Sequence, residues 1–185
     1  MASQTTQFIN GVTNVPAETQ STLGSLVFPD PTRCHTWMDD FDDYVAAEWV
    51  VTTTGSGTVA TIDGDGGILA VVNSAADDAA VYSQWSGATN SAVCETFTFD
   101  ATKSLWFKTR FKISDATQSD LVIGLIVTDT SPLDAGDGLW FQSDDGSAAL
   151  VFKSAASAAA TTTTVATLVS DTYITLQWYY DGNGR

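Results

Sequence analysis

Residues 104–127, SLWFKTRFKISDATQSDLVIGLIV, carry the clearest structural pattern in this chain. The first half alternates strictly between apolar and polar or charged residues, which is the pattern of a β-strand with one buried face. The positions on that face are Leu105, Phe107, Thr109, Phe111 and Ile113. Residues 121–127 are apolar on both faces, as in a strand that is covered on both sides. We therefore predict two antiparallel strands that lie side by side at the centre of a two-layer β domain.

The rest of the chain contains further short strand patterns, separated by turn signals and without a sustained helical period. These patterns cover residues 49–54, 58–62, 68–73, 81–85, 93–99, 139–142, 150–153, 165–169 and 173–180. We expect the Ala/Thr-rich segment 155–164 to be a loop. Ten or eleven short strands at near-regular spacing predict an all-β sandwich or barrel.

The charge of the chain is strongly unbalanced, with 7 basic against 22 acidic residues and a net charge of −15. A field of that sign repels phosphate backbones, so we expect no nucleic-acid partner. No apolar run approaches the roughly 20 residues that cross a bilayer, and the N-terminus lacks the basic and apolar regions of a secretory signal. We therefore expect no membrane association, and a protein that stays in a cytosol or is assembled there into something larger.

Residues 1–33 differ in composition from the rest, being polar, nearly free of charge and without a sustained strand or helix period. One interpretation is a disordered terminus. The interpretation that we favour is an extended arm that becomes ordered against a neighbouring subunit, with Phe8, Ile9 and Val12 as anchors. The sandwich would then occupy residues 34–185. The hairpin-turn signal at residues 181–184 has no returning strand, which predicts that the native product continues beyond Arg185.

Metal and cofactor signals are weak. Cys34, His35 and Cys94 supply three nitrogen or sulfur donors, fewer than the four of a structural zinc site. The four aspartates within residues 37–49 could bind Ca²⁺, but we favour a solvated loop whose aromatic residues cover one end of the sandwich. We expect no metal and no cofactor.

Catalytic signals are equally weak. A glycoside hydrolase needs two carboxylates facing one cleft, and the chain has only three glutamates, Glu18, Glu48 and Glu95. None has an acidic partner at strand spacing on its own face, and almost every aspartate falls in a turn or loop. We therefore expect no catalytic residues and no enzymatic activity.

Two sets of residues are candidates for binding. Trp106, Lys108, Arg110 and Lys112 share the polar face of the first strand and include three of the seven cations. These cations either neutralise neighbouring aspartate loops or contact an acidic neighbour, which would be another copy or a capsid lattice. The second set consists of tryptophans at strand positions where a sugar could stack, in particular Trp85 and Trp140; the alternative is that these rings fill the core.

Two strings carry a resemblance to a known family: FDDYVAAEWVVTTTGSGTVATIDGDGGILAVVNSAADDAAVYSQ, residues 41–84, and LWFKTRFKISDATQSDLVIGLIVTDTSPLDAGDGLWFQSDDG, residues 105–146. Together they resemble virion structural proteins of tailed bacteriophages, marine ones in particular. The similarity covers roughly residues 20–185 and is most specific in SDATQSDLVIGL and VTDTSPLDAGDG.

The resemblance implies a concanavalin-like jelly-roll sandwich preceded by an extended arm. It further implies a non-enzymatic decoration or cement protein on the capsid surface, assembled in the host cytoplasm and bound to the major capsid protein and to copies of itself, for example as a trimer. The alternative function is a lectin-like virion module or fibre component that attaches the particle to host or environmental polysaccharide, with carbohydrate as its ligand.

Overall fold

The structure is a computed structural model, and it describes residues 6–7, 13–14, 35–64, 66–76, 78–85, 97–127 and 130–182. Over these ranges the chain is all-β, with antiparallel sheets and only two three-residue 3-10 turns, Ala46–Glu48 and Pro132–Asp134. The predicted all-β class is confirmed, and the arrangement is consistent with a β-sandwich. No helix within the described ranges is long and apolar enough to span a bilayer.

Twelve strands lie within the described residues. In chain order they are β1 (Thr6–Gln7), β2 (Thr13–Asn14), β3 (Trp49–Thr54), β4 (Gly57–Ile62), β5 (Ile68–Asn73), β6 (Ala80–Trp85), β7 (Leu105–Phe111), β8 (Leu121–Ile126), β9 (Gly138–Ser143), β10 (Ala149–Ala156), β11 (Ala159–Thr167) and β12 (Ile174–Tyr180). β1 and β2 pair with each other inside the predicted arm, and the rest of residues 1–33 lies outside the described part. The strand predicted at 93–99 lies mostly outside it too, and its last three residues form no strand.

The largest sheet has the order β11-β10-β9-β8, with every pair antiparallel. The strands predicted at residues 139–142 and 150–153 are confirmed as parts of β9 and β10, which pair with each other as a hairpin. The loop predicted at residues 155–164 is wrong, because β10 and β11 form a second hairpin there. Four successive threonines, which are β-branched, favour a strand, and only Ser157 and Ala158 remain for the turn. Both of those residues have positive φ, 53° and 64°, as a tight hairpin turn requires.

The expected lateral pairing of residues 105–113 with 121–127 is also wrong. β7 pairs with β12, whereas β8 pairs with β9, so the two strands belong to different sheets. Their apolar residues nevertheless pack against one core. The alternation in β7 therefore indicates that one face of the strand is buried against the opposite sheet. It does not indicate which strands pair with β7 at its two edges.

One hydrophobic core lies between these two sheets. Its buried residues are Ala116, Phe141, Leu150, Leu168 and Trp178. Around them pack half-buried side chains from β7, β8, β10 and β12, and the rings of Phe107 and Trp178 stack with centroids 5.4 Å apart. The predicted alternation of β7 is confirmed, because its apolar residues are half-buried and Trp106, Lys108 and Arg110 are exposed.

Residues 35–85 form two further strand pairs, β3 with β6 and β4 with β5. Four rings surround Trp49, and together the five side chains form what we call the aromatic cluster: Trp37, Phe41, Tyr44, Trp49 and Trp85. Phe41 has a φ of 58°, and its backbone N–H donates to Asp39 Oδ1 at 2.7 Å. Gly67 packs directly against the backbone of Phe41, where any Cβ would overlap the carbonyl group. The aspartate-rich loop thus packs its rings on the strands, and no described residue of this region is fully buried.

Candidate functional site

The candidate site is the solvent-facing side of the β7–β12 pair. Because side chains alternate along a strand, burial of the apolar side of β7 sends its other side outward. The antiparallel register places Tyr179 opposite Trp106, Gln177 opposite Lys108, and Thr175 opposite Arg110. We call this surface the outer β7–β12 face, and it consists of Trp106, Lys108, Arg110, Lys112, Tyr173, Thr175, Gln177 and Tyr179.

One end of the outer β7–β12 face is aromatic. The side chain of Trp106 is 73% exposed and that of Tyr179 is 52% exposed. Their ring centroids lie 4.8 Å apart with an interplanar angle of 36°, and the Tyr179 hydroxyl lies 3.1 Å from Ser104 Oγ, within hydrogen-bond distance. Both rings border an open cleft of about 400 Å³ that Lys108 and Gln177 also line. Exposed large aromatics beside polar groups are typical of binding surfaces.

The other end of the face is cationic. The Arg110 guanidinium carbon lies 4.0 Å from the centroid of the Tyr173 ring, and Lys112 Nζ lies 5.5 Å from the same centroid. Both distances fall within the range of cation–π attraction. Stacking on Tyr173 orients the guanidinium group while leaving its N–H groups available as donors. At this end of the face, the positive charges are therefore held in place and accessible to a binding partner.

The cations of this face are not held in direct ion pairs among the described residues. Within the described part of the chain, no direct ion pair joins a carboxylate to Lys108, Arg110 or Lys112, and the last two contact the Tyr173 ring. The first interpretation of the cation row, neutralisation of aspartate loops, requires such carboxylates nearby. In the second interpretation, an acidic neighbour supplies a direct countercharge to these three side chains.

The acids at the two ends of β7 act in turns. Hydrogen bonds from the side chain and backbone of Thr102 lower the pKa of Asp100. Hydrogen bonds from Thr117, with a further one from the Gln118 backbone, lower the pKa of Asp115. Such bonds favour the ionised carboxylate. These two aspartates thus hold the turns that precede and follow β7.

The two tryptophans proposed for sugar stacking offer little free surface. Trp140 is 1% exposed, and its indole N–H donates to Gln142 Oε1 at 2.8 Å. The amide of Gln142 in turn donates to Asp144 Oδ1 at 2.6 Å. Because its ring is almost fully buried, Trp140 offers no surface on which a sugar could stack.

Trp85 is half-buried in the aromatic cluster, with its ring centroid 4.2 Å from that of Trp37 and 6.1 Å from that of Trp49. Its Nε1 is buried and has no hydrogen-bond partner among the described residues. The exposed aromatic pair is instead Trp106 with Tyr179. Sequence reasoning included Trp106 but missed Tyr179 and Tyr173. The signal was present, because Tyr173, Thr175, Gln177 and Tyr179 occupy alternate positions on the polar side of β12.

Most of the remaining candidates from the sequence lie outside the described residues. Phe8, Ile9 and Val12, the proposed anchors of the arm, lie outside the described residues, as do Cys34 and Cys94. His35 stacks on the ring of Phe97 with centroids 4.4 Å apart. Among the residues that the structure describes, no group of three or more His, Cys, Asp or Glu side chains is placed to hold a metal ion.

The geometry defines the class of the chain as an antiparallel all-β protein with one exposed aromatic and cationic face. Comparison with known proteins gives no match: no family model fits the chain, and no curated protein or solved structure is significantly similar to it.

Proposed function

We propose that this chain is a non-enzymatic structural protein of a tailed-bacteriophage virion, a decoration or cement protein that binds the lattice of the major capsid protein. In this proposal the β-sandwich is a concanavalin-like jelly roll, and the segment 1–33 is an arm that orders against a neighbouring subunit. The family assignment rests on the resemblance of residues 41–84 and 105–146. The binding role rests on the outer β7–β12 face.

The observation that carries the proposal is the local reversal of charge. A chain with a net charge of −15 presents Lys108, Arg110 and Lys112 together on one face, and these cations form no direct ion pair within the described residues. An acidic partner surface would complement them, and Trp106 and Tyr179 would supply aromatic contact area, the usual anchor of an interface. A stable contact of this kind buries on the order of 1,000 Å² or more. Burial of that area over many copies would brace the shell against internal pressure.

The test is a binding assay with purified capsids assembled from the major capsid protein alone. We expect the wild-type chain to co-sediment with the capsids, and Arg110→Glu to abolish binding because it reverses charge at the centre of the cationic end. Lys103→Glu is the matched control, since it makes the same charge change in the turn before β7, outside the face. Circular dichroism should show the same fold for all three proteins. Equal binding by Arg110→Glu and wild type would refute the role of this face.

A second function is favoured by one observation, the exposed ring pair of Trp106 and Tyr179 beside the Gln177 amide. Stacked aromatic rings with adjacent amide groups suit a saccharide, and the neighbouring cations would favour an anionic one. A glycan array with wild type and Trp106→Ala tests this function. Binding of acidic polysaccharide that Trp106→Ala removes, together with no binding to capsids, would make attachment to polysaccharide the better description.

A further inference from the structure

A second exposed surface lies on the opposite sheet, at the free edge of β11. Within the described residues β11 pairs only with β10. Its nine residues, AATTTTVAT, include no charged residue and no proline, and every side chain except Ala166 is exposed. Edge strands are normally protected by lysine, proline, short length or a bulge. The irregularity in the β10–β11 register falls near Val165, so residues 159–164 remain a regular, unprotected edge.

The hairpin that presents this edge is anchored at both ends. At its tip, Ser157 N–H donates to Asp137 Oδ1 at 2.6 Å and Ala158 N–H donates to the Gly136 carbonyl at 2.9 Å. At its base, Leu168 N–H donates to the Ala148 carbonyl at 2.8 Å. A strand that is held in place beforehand loses little conformational entropy when another strand pairs with it.

The geometry of the hairpin shows which backbone groups of β11 are not used in its pairing with β10. Ala156 pairs with Ala159 across the two-residue turn. The residue pair that flanks such a turn is hydrogen-bonded, and along the hairpin away from the turn hydrogen-bonded pairs alternate with non-hydrogen-bonded pairs. Thr161 and Thr163 therefore direct their N–H and C=O groups to β10. Ala160 and Thr162 direct theirs away from the sheet, where a further strand can bind them.

We propose that β11 is a homodimerisation edge, at which two copies of this chain pair their β11 strands antiparallel about a two-fold axis that passes through Thr162. In an antiparallel pair, two residues that lie opposite each other either both direct their N–H and C=O groups toward the partner strand or both direct them away from it. The pairing thus sets Thr162 against Thr162 of the second copy, Thr161 against its Thr163, and Ala160 against its Thr164. The two four-stranded sheets become one continuous sheet of eight strands.

The charge and the backbone geometry of the β11 edge indicate which partner can bind it. The free groups are backbone donors and acceptors in an extended row, so the partner must itself supply a β-strand. A second β11 is such a strand, and it is anchored and uncharged. Two chains of net charge −15 can therefore meet here without like charges directly opposite each other, and the threonines meet in cross-strand pairs that stabilise sheets. The outer β7–β12 face takes no part in this contact, so the inference stands independently of the proposed function.

The test measures the mass of the full chain in solution by analytical ultracentrifugation at increasing protein concentration. We expect a dimer of twice 19.6 kDa at high concentration. The dissociation constant should fall as salt is added, because salt screens the repulsion between two acidic chains. Thr162→Pro removes one outward N–H from each copy without removing a β10–β11 bond. We expect it to weaken the dimer by about tenfold to a hundredfold.

Thr162→Val is the matched control, because it keeps the N–H group and the β-branched shape, and it should dimerise like wild type. Thr162→Lys is a second disruptive variant, which is useful if the strand does not fold with proline. In the dimer it would place the two lysines, one from each copy, directly opposite each other. Circular dichroism and thermal melts establish that each variant is folded. A chain that stays monomeric at every concentration and salt would overturn the inference. So would a dimer that both Thr162→Pro and Thr162→Lys leave intact, since another surface would then be responsible.

Discussion

Residues 35–85 and residues 97–182 are both built from antiparallel strand pairs, but among the described residues only those of the second region include fully buried ones. Between β7–β12 and the four-stranded sheet, Leu150 is 0% exposed and Phe141 is 3% exposed. In the first region the aromatic cluster lies at the surface, with Trp37 37% exposed, and Val72 of β5 is 53% exposed. Two layers that face each other exclude water from both inner surfaces, whereas a strand pair on its own shelters part of one surface. We infer that residues 97–182 supply most of the stability of the described fold.

The largest expected effect tests this difference with the same substitution in each region. Leu150→Ala should lower the free energy of unfolding by about 2–5 kcal/mol, because it removes a fully buried side chain and leaves a cavity. Leu69→Ala, at a half-buried position in β5, should cost about 1–2 kcal/mol. Urea titration followed by circular dichroism measures both values. Equal losses would show that the first region contributes a comparable core.

A smaller effect compares a glycine in each region. At Gly124 an added Cβ would lie 2.5 Å from the Leu139 carbonyl oxygen and 2.6 Å from Trp140 Cα, both in the central strand β9. Because that strand is held on both sides, we expect Gly124→Ala to cost about 2–3 kcal/mol. At Gly67 the Cβ would meet the backbone of Phe41, which belongs to a loop.

Phe41 lies in a loop without a fully buried residue, whereas Leu139 and Trp140 lie in an inner strand, so we expect Gly67→Ala to cost less than Gly124→Ala, about 1 kcal/mol. It should also change the tryptophan fluorescence, since Phe41 packs on Trp49. Chemical denaturation and emission spectra measure the two outcomes. A greater loss of stability for Gly67→Ala than for Gly124→Ala would show that the aspartate-rich loop is as rigid as the central strand.

The smallest effect concerns the turn between β7 and β8 and its dependence on pH. The folded-state pKa of Asp115 is lowered from 3.8 by its hydrogen bonds to Thr117, so folding favours the ionised form. The corresponding stability is fully present above pH 3.8 and is lost as the pH falls through the lower folded-state pKa. Asp115→Asn removes this ionisation. Its unfolding midpoint in urea should therefore fall less than that of wild type on acidification.

Asp100 provides an internal comparison, because its pKa is lowered in the same way by Thr102. Asp100→Asn should reduce the acid sensitivity in the same direction, and the double variant should reduce it further. If Asp115→Asn lost as much stability as wild type over this pH range, the turn hydrogen bonds would not be the source of the acid sensitivity.

The fold could be predicted from sequence wherever the deciding interaction is local. The alternation in β7, the hairpin of β9 with β10 and the limits of β3, β5 and β6 follow from side-chain period and turn residues. The error at residues 155–164 arose because composition was given more weight than the β-branched threonines. Within the outer β7–β12 face, Trp106, Lys108, Arg110 and Lys112 were identified because they share one strand.

Other features depended on segments that are distant in the chain. The pairing of β7 with β12 brings Tyr179 to Trp106, and Tyr173 lies under Arg110 where β12 begins. The burial of Trp140 depends on the hydrogen bond from its indole to Gln142 and on packing around the central strand. The alternation of side chains along a strand does not distinguish an exposed tryptophan from a buried one.

The amino-acid sequence alone determined the all-β class, the two unlike sides of β7 and the excess of negative charge, since these are properties of neighbouring residues and of composition. Tertiary structure decided that β7 and β8 lie in different sheets, that two tyrosines complete the outer β7–β12 face, and that β11 is an edge strand among the described strands. The reason is physical: each strand can form hydrogen bonds with any other strand, and only the packing of the whole core selects among these pairings.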